Sequence, residues 1–366
     1  MLDKACIDRK YKQAENILSR CCGTHGVWAD PERYKYQCWT RDFAIAIAPL
    51  LSELKMVAMG NVHLGCLSHR ISSYDGKVPI LFLDDEKEWL RHKITQSIGR
   101  GKIGFMLERY LQGELENLTP GTRDSEICYL LASYQDVAWL DPFPIFKRTK
   151  ARKYIREKLM KNGLHVGCDW RDTMEKELGD KSLLSNNSIL YRALVLRGEY
   201  EDCGDIEFAA LLKERIIRTF WNGKTFIDYP GSDRFDPFGA SLAVLFDVAS
   251  PEHYGGMIDS FRSVDTPCGV TIKCRHNAYK PEEHEVIERT DGEVVWPFIV
   301  GYSILALLKM DEVDFAKEQF EKYASHSGFW EWIDPGTGKG YGAPEQLWSA
   351  ALFMRVVHAF RNAHLL

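Results

Sequence analysis

A chain of 366 residues can hold two or three average domains or one large architecture. Its 47 basic and 52 acidic side chains leave a formal net charge of −5, which argues against a protein that holds nucleic acid or an anionic membrane through its overall field. A hydrophobic content of 45% excludes disordered and collagen-like classes, and no uncharged apolar stretch approaches the roughly 18 residues of a membrane span.

In chain order, six apolar segments each follow a polar or turn-rich loop. They begin near Asp42, Asp124, Asn187, Phe238, Trp296 and Trp348. Charged, amphipathic segments alternate with them at 94–112, 145–161, 207–220 and 312–323. Strand-like alternation is rare. The rhythm predicts an all-α fold of nested helical rings, an (α/α)6 toroid formed by a single domain over 1–366. Apolar helices would form the inner ring, with the pocket where they begin. A generic helical bundle or an α-solenoid fits the same rhythm. The N-terminal ten residues contain no apolar signal region, and the ten irregularly spaced cysteines read as buried hydrophobes in a reducing compartment. A cytoplasmic location is expected.

Ten Trp, sixteen Tyr and eighteen Phe make 12% of the chain. They suit either a large helical core or a pocket whose aromatic faces meet sugar rings. Five loops carry candidate chemistry. Tyr36 to Asp42 (Tyr-Gln-Cys-Trp-Thr-Arg-Asp) precedes the first apolar helix. Arg41 and Asp42 can cap that helix, or bind sugar hydroxyls while Trp39 packs on the ring. Gly167 to Thr173 (Gly-Cys-Asp-Trp-Arg-Asp-Thr) sets Asp169 and Asp172 around Trp170 and Arg171. It is either a turn with an internal ion pair or the seat of a general acid. Trp330-Glu-Trp-Ile-Asp-Pro-Gly-Thr-Gly places Glu331 between two indoles, as a positioned base in an aromatic pocket would be. Tyr341 to Ser349 contains Glu345, which suits the first turn of a helix, and Gln346 and Trp348, which can line a pocket. Val295-Trp-Pro-Phe298 offers Trp296 as core or pocket wall.

Together these motifs resemble the inverting (α/α)6 glycosidases. The nearest patterns are the amylo-alpha-1,6-glucosidase part of glycogen debranching enzymes and glycoside hydrolase family 63; neutral invertases and trehalases are similar more distantly. W-x-R-D, D-W-R-D, V-W-P-F and E-W-I-D-P-x-T-G…Q-x-W-S-A follow one another from about residue 24 to 360. The resemblance implies a general acid at Asp172, with Asp169 as runner-up, and a general base at Glu331, with Glu345 as runner-up. It implies sugar contacts from Trp39, Arg41, Asp42, Trp170, Arg171, Trp296, Trp330, Gln346 and Trp348. The chain is short for these families, and its acid motif matches neither named family fully. Inversion needs a protonated carboxyl on the leaving oxygen and a carboxylate activating water, roughly 6.5–9.5 Å apart. No cofactor is implied.

The activity expected is release of a terminal α-linked sugar, glucose above all, from an oligosaccharide or small glycoside. Hydrolysis of a compact solute such as glucosylglycerate, mannosylglycerate or sucrose, and a non-catalytic sugar-binding toroid, are the alternatives. The expected partner is a carbohydrate, with neither nucleic acid nor membrane; the oligomeric state is open. His63, His69, His276 and His284 lack metal-ligand spacing and read as core or surface residues. Asp84-Asp-Glu-Lys-Glu88 reads as a solvated helix start rather than an acidic metal motif.

Overall fold

The computed structural model describes residues 3–100, 103–115, 121–135, 143–200, 205–274 and 280–366. Six apolar helices appear where the rhythm predicts them: Phe43–Ile47 running on into Ala48–Glu53, then Ser125–Tyr134, Leu184–Tyr200, Pro237–Leu245, Pro297–Lys309 and Leu347–Asn362. Each packs on the next, and the last packs back on Phe43–Ile47, so their contacts close in a cycle. Every residue of Ser125–Tyr134 is buried, as a helix surrounded on all sides requires.

Local chemistry sets where these helices start and bend. Pro237 and Pro297 occupy first positions, where the missing N–H costs nothing. Asp236 caps the fourth helix by accepting the Phe238 N–H at 2.9 Å. Phe43–Ile47 is π-helical, with the Ala48 N–H bonded to the Phe43 carbonyl. Pro49 lacks the N–H that an α-helix would donate to the Ile45 carbonyl, and the Tyr302 hydroxyl donates to that carbonyl instead.

The amphipathic helices pack outside. Lys4–Cys21 lies against Leu347–Asn362, Asp205–Phe220 against Leu184–Tyr200, and Val313–Ser325 against Pro297–Lys309. Lys10 ties two of these together. Its buried ammonium donates to the Tyr323, Ala324 and His326 carbonyls at 3.1, 3.2 and 2.5 Å, at the negative end of Val313–Ser325. The predicted 94–112 segment is two helices instead, Glu86–Arg100 and Phe105–Leu111, with Gly104 at the N-cap of the second. One apolar core runs from Ile7 to Phe360.

The all-α expectation needs one addition. Asp265–Thr266, Gly269–Lys273, Glu293–Val295, Trp332–Ile333 and Gly340–Tyr341 form an antiparallel meander in chain order. Its strands are two to five residues long, too short for period-two alternation to register in sequence. Val295 pairs with Ile333, which brings Trp296 and Glu331 onto adjacent strand ends. A second pairing, Gln37–Trp39 with Leu81–Leu83, holds Trp39 opposite Leu81. Among the described residues no helix is long and apolar enough to cross a membrane.

Candidate active site

The beginnings of the apolar helices gather most of the predicted residues. Arg41 and Asp42 stand at the first, Asp124 is the N-cap of the second, Trp296 of the fifth and Gln346 of the sixth. The 167–173 loop leads toward the third.

Arg41 is the electrostatic hub. Its guanidinium lies 2.6 Å from Asp172 through Nη2, 3.5 Å from Asp124 through Nη1 and 3.9 Å from Asp42 through Nε. It also sits 5.2 Å from the centre of the Trp39 ring. Burial pushes the Asp42 carboxyl up; Arg41 pulls it down; the charges of Glu331, Asp124 and Asp172 push it up again, to about 7. Burial likewise lifts Asp124 to about 6, against the pull of Arg41 and with the push of Asp169 and Asp172. One Asp124 oxygen, Oδ1, is buried without a hydrogen-bond partner among the described residues. Asp42 therefore lies within the fields of Glu331, Asp124 and Asp172.

Exposure separates the two candidate acids. Asp172 keeps 25% of its side chain accessible, whereas Asp169 keeps 2%. Asp169 accepts from Arg171 Nε and Nη2, both at 2.9 Å, and from the Ser185 hydroxyl at 2.6 Å. Burial works against its charge, but Arg171 and Ser185 overcome that and hold the carboxyl below its ordinary range. Asp228 grips the other side of Arg171, at 2.7 and 2.8 Å. Asp169 thus anchors Arg171, and the guanidinium fork is filled by carboxylates. Arg171, expected to bind sugar or to orient, has its guanidinium held between Asp169 and Asp228.

Glu331 is buried and fixed at both carboxylate oxygens. Tyr34 donates its hydroxyl to Oε1 at 3.0 Å, and the Ala343 N–H donates to Oε2 at 2.9 Å. Arg33 Nη1 lies 3.6 Å from Oε2. Gly342 allows this fit. Its φ is +75°, and a Cβ there would collide with Oε2. The aromatic setting predicted for Glu331 differs: Trp332 is fully buried and stacks on Tyr341 at 4.6 Å, and Trp330 covers Gly340. The other runner-up, Glu345, binds Arg20 through both oxygens at 2.8 Å on the outer surface.

Trp170, Trp296 and Trp348 are buried and pack on one another edge to face, with centroids 4.8–6.3 Å apart. Phe298 stacks on Trp348 at 4.2 Å. They form an aromatic cluster at the helix starts. Gln346, also buried, has Oε1 unpartnered among the described residues. Trp39 is half-buried beside Arg41, and its Nε1 donates to Gln37 at 3.3 Å.

Sequence reading did not name Arg33, Tyr34, Asp124 or Asp228 as candidates, although each contacts a candidate residue. Asp124 carried a signal, since it precedes an apolar helix as Asp42 and Asp236 do. Arg33 and Tyr34 carried little. Their turn is held by buried Asp30, which accepts the Glu32 and Arg33 N–H groups at 2.7 and 2.5 Å, and by Lys93, which donates to the Arg33 carbonyl at 2.9 Å.

His63 stacks on Phe43 at 3.8 Å and accepts the Val27 N–H, a core histidine as read. His276 lies outside the described residues. Of the acidic run, Asp85 caps its helix through the Glu88 N–H as read. Asp84 turns inward instead, where it accepts the Thr24 and His25 N–H groups.

No protein-family model and no curated protein sequence matches this chain. Solved structures do. A glycosidase variant superposes with a TM-score of 0.70 at 15% identity over 100% of both chains. A glycosidase variant in complex with glucose gives 0.64 at 14% identity, again over 100% of both. A family 63 mannosylglycerate hydrolase from Thermus thermophilus, in complex with Tris, gives 0.56 at 12% identity over 94% of this chain and 98% of that one. The likeness is one of fold: the chain has the helical fold of these glycosidases.

Proposed function

We propose that this chain is an inverting glycoside hydrolase built as a single-domain (α/α)6 toroid, acting in the cytoplasm on the non-reducing end of an α-glycoside. The observation that carries the reading is the pairing of a partly exposed carboxyl, Asp172, with a doubly hydrogen-bonded carboxylate, Glu331, around one buried Arg41–Asp42 unit. In this reading Asp172 protonates the leaving glycosidic oxygen, and Glu331 takes a proton from the water that attacks the anomeric carbon from the opposite face. Arg41 orients Asp172. Asp42 and Trp39 hold the terminal sugar, which is glucose, against the cluster of Trp170, Trp296 and Trp348, with Gln346 and Trp330 at its edges.

The cyclic contact order of the six apolar helices supports the toroid. The glucose-bound neighbour supports the choice of sugar. A second reading draws on the hydrolase neighbour matched over 98% of its own chain: the substrate is a compact solute such as glucosylglycerate or mannosylglycerate.

Proton NMR of the protein with isomaltose, panose, limit dextrin, trehalose, sucrose, glucosylglycerate and mannosylglycerate tests both. First release of the β-anomer from an α-glycoside is expected, and the substrate cleaved chooses between the readings. First release of the α-anomer would overturn direct displacement. On that substrate Asp172→Asn and Glu331→Gln are each expected to lower turnover by about three orders of magnitude or more while sugar binding persists. Saturable sugar binding with no cleavage of any member would replace the enzyme with a binding toroid.

A further inference from the structure

A groove of about 450 Å³ opens beside the 167–173 loop, outside the site described above. It lies between the hairpin of Met160–Lys161 and Leu164–His165, the segment 180–182 and the last turns of Asp205–Phe220. Lys161, Lys181, Arg215 and Arg218 line it. Among the described lining residues the one acidic side chain is Asp180, whose carboxylate lies 3.2 Å from Lys181 Nζ. Four cations thus face one concavity against a single carboxylate, and no lining residue among those described is aromatic.

Arg215 is built into this groove. Its Nη1 donates to the Asn162 carbonyl at 3.0 Å, which lays the guanidinium across the hairpin turn. Gly163 makes the room: its φ is +74°, and a Cβ there would collide with Nη1. One hydrogen bond occupies one of five donors, and among the described residues the rest of the fork is unengaged. Lys161 and Arg218 are exposed at the groove's edge. Holding several like charges around one hollow costs Coulomb energy, which a multiply charged anion relieves. A sugar ring alone finds no stacking face here. A phosphate group, with two charges and oxygens that accept from several guanidinium and ammonium donors at once, matches the donor set.

We propose that this groove binds a phosphate group, either as free phosphate or as the phosphate monoester of a sugar. The inference does not depend on the hydrolase reading, because it concerns binding alone.

Titration calorimetry of the full chain at low salt, with inorganic phosphate and separately with glucose 1-phosphate and glucose 6-phosphate, tests it. Saturable binding of at least one is expected, weakening as sodium chloride is raised. Tighter binding of inorganic phosphate identifies the free ion as the source, and tighter binding of a monoester identifies the sugar phosphate. The Arg215→Gln/Arg218→Gln double variant is expected to bind at least about tenfold more weakly, a loss of roughly 1.4 kcal/mol. Lys161→Gln, at an exposed position that leaves the hairpin intact, is expected to weaken binding in the same direction; thermal melts confirm that both variants are folded. Absence of saturable binding up to about 20 mM of all three probes, a range that reaches past millimolar affinity, would overturn the proposal. So would affinity unchanged in both folded variants.

Discussion

Arg41 reaches Asp172 with Nη2 2.6 Å from Oδ2, and it does so from a buried position between two further carboxyls, Asp42 and Asp124. The guanidinium is the shared counter-charge of the whole cluster. Removing it leaves buried carboxyls facing one another, and breaking a buried pair from one side costs about 3–5 kcal/mol. Arg41→Gln is therefore expected to lower the urea midpoint by that order. Compared at about pH 8, above the raised value of Asp42, Asp42→Asn in the same chain should restore part of the loss, because it removes a carboxyl that would have to ionise without its counter-charge. A double-mutant cycle that came out additive would sink this account.

Glu331 owes its orientation to a residue almost 300 positions away. The Tyr34 hydroxyl holds Oε1, while the Ala343 N–H holds Oε2. Hydrogen bonds to charged groups contribute about 1.5–3 kcal/mol. If Glu331 activates water, Tyr34→Phe should reduce kcat by about ten- to a hundredfold with a smaller change in KM. Glu345→Gln, which touches the outer Arg20 rather than this cluster, should change kcat by less than about threefold, since exposed pairs contribute little. Steady-state kinetics of the two variants side by side checks the assignment. A deep loss in Glu345→Gln with little in Tyr34→Phe would exchange the roles of Glu345 and Glu331.

The six helix starts and the order of the motifs were legible because both depend on local pattern: apolar runs after polar loops, Pro at first helical positions, Asp at caps. Asp172, Asp42, Trp39 and Glu331 are brought within one region by that order alone. The distinction between Asp169 and Asp172 was not legible. Both sit in one four-residue motif and both pair with an arginine; only Asp228 and Ser185, 57 and 16 positions away from their partners Arg171 and Asp169, show which carboxyl is closed off from solvent. Tyr34 and Arg33 were invisible for the same reason. Their meaning comes from a turn folded against the far end of the chain, where Asp30 also accepts the Glu345 N–H. The meander escaped because strands of two residues have no period.

Asp42, Asp124 and Glu126, like Asp236, are buried carboxyls whose own contribution to stability has a pH dependence of known sign. Burial is the main cause of the rise in each: Asp42 to about 7, Asp124 to about 6 and Glu126 to about 7, from ordinary values of 3.8, 3.8 and 4.5. Between those ordinary values and the raised ones, the folded chain holds protons that the unfolded chain has released. The contribution of these groups is therefore complete below about pH 4 and is lost as pH rises through 6 to 7. Buried His63, His165 and His326, lowered by desolvation to about 3, 3 and 4, contribute with the opposite sign below about pH 6.5, so the test is a difference. The urea midpoint of Asp42→Asn relative to the unsubstituted chain is expected to rise from about pH 5 to pH 8. A difference that stays flat across that window would contradict the burial of Asp42 as a neutral acid.

Arg171 sets the last test, because its neighbours on either side belong to different parts of the site. Trp170 joins the aromatic cluster, Asp172 faces Arg41, and Arg171 between them is clamped by Asp169 and Asp228. The clamp fixes the loop to the start of Leu184–Tyr200 through Ser185 and to the segment at Asp228, whose carbonyl accepts the Leu184 N–H at 2.9 Å. Lysine keeps the charge but cannot span two carboxylates with a planar fork. Arg171→Lys is thus expected to cost about 2–4 kcal/mol of stability, less than the full loss of a buried partner. If the clamp orients Asp172, the same variant should lower kcat by more than tenfold at a temperature where it is fully folded, with KM changed less. Raising the temperature of assay separates the two effects. A kcat loss that merely tracks the unfolded fraction would make Arg171 a structural residue alone, whereas a loss that persists in the folded enzyme assigns it the orientation of Asp172.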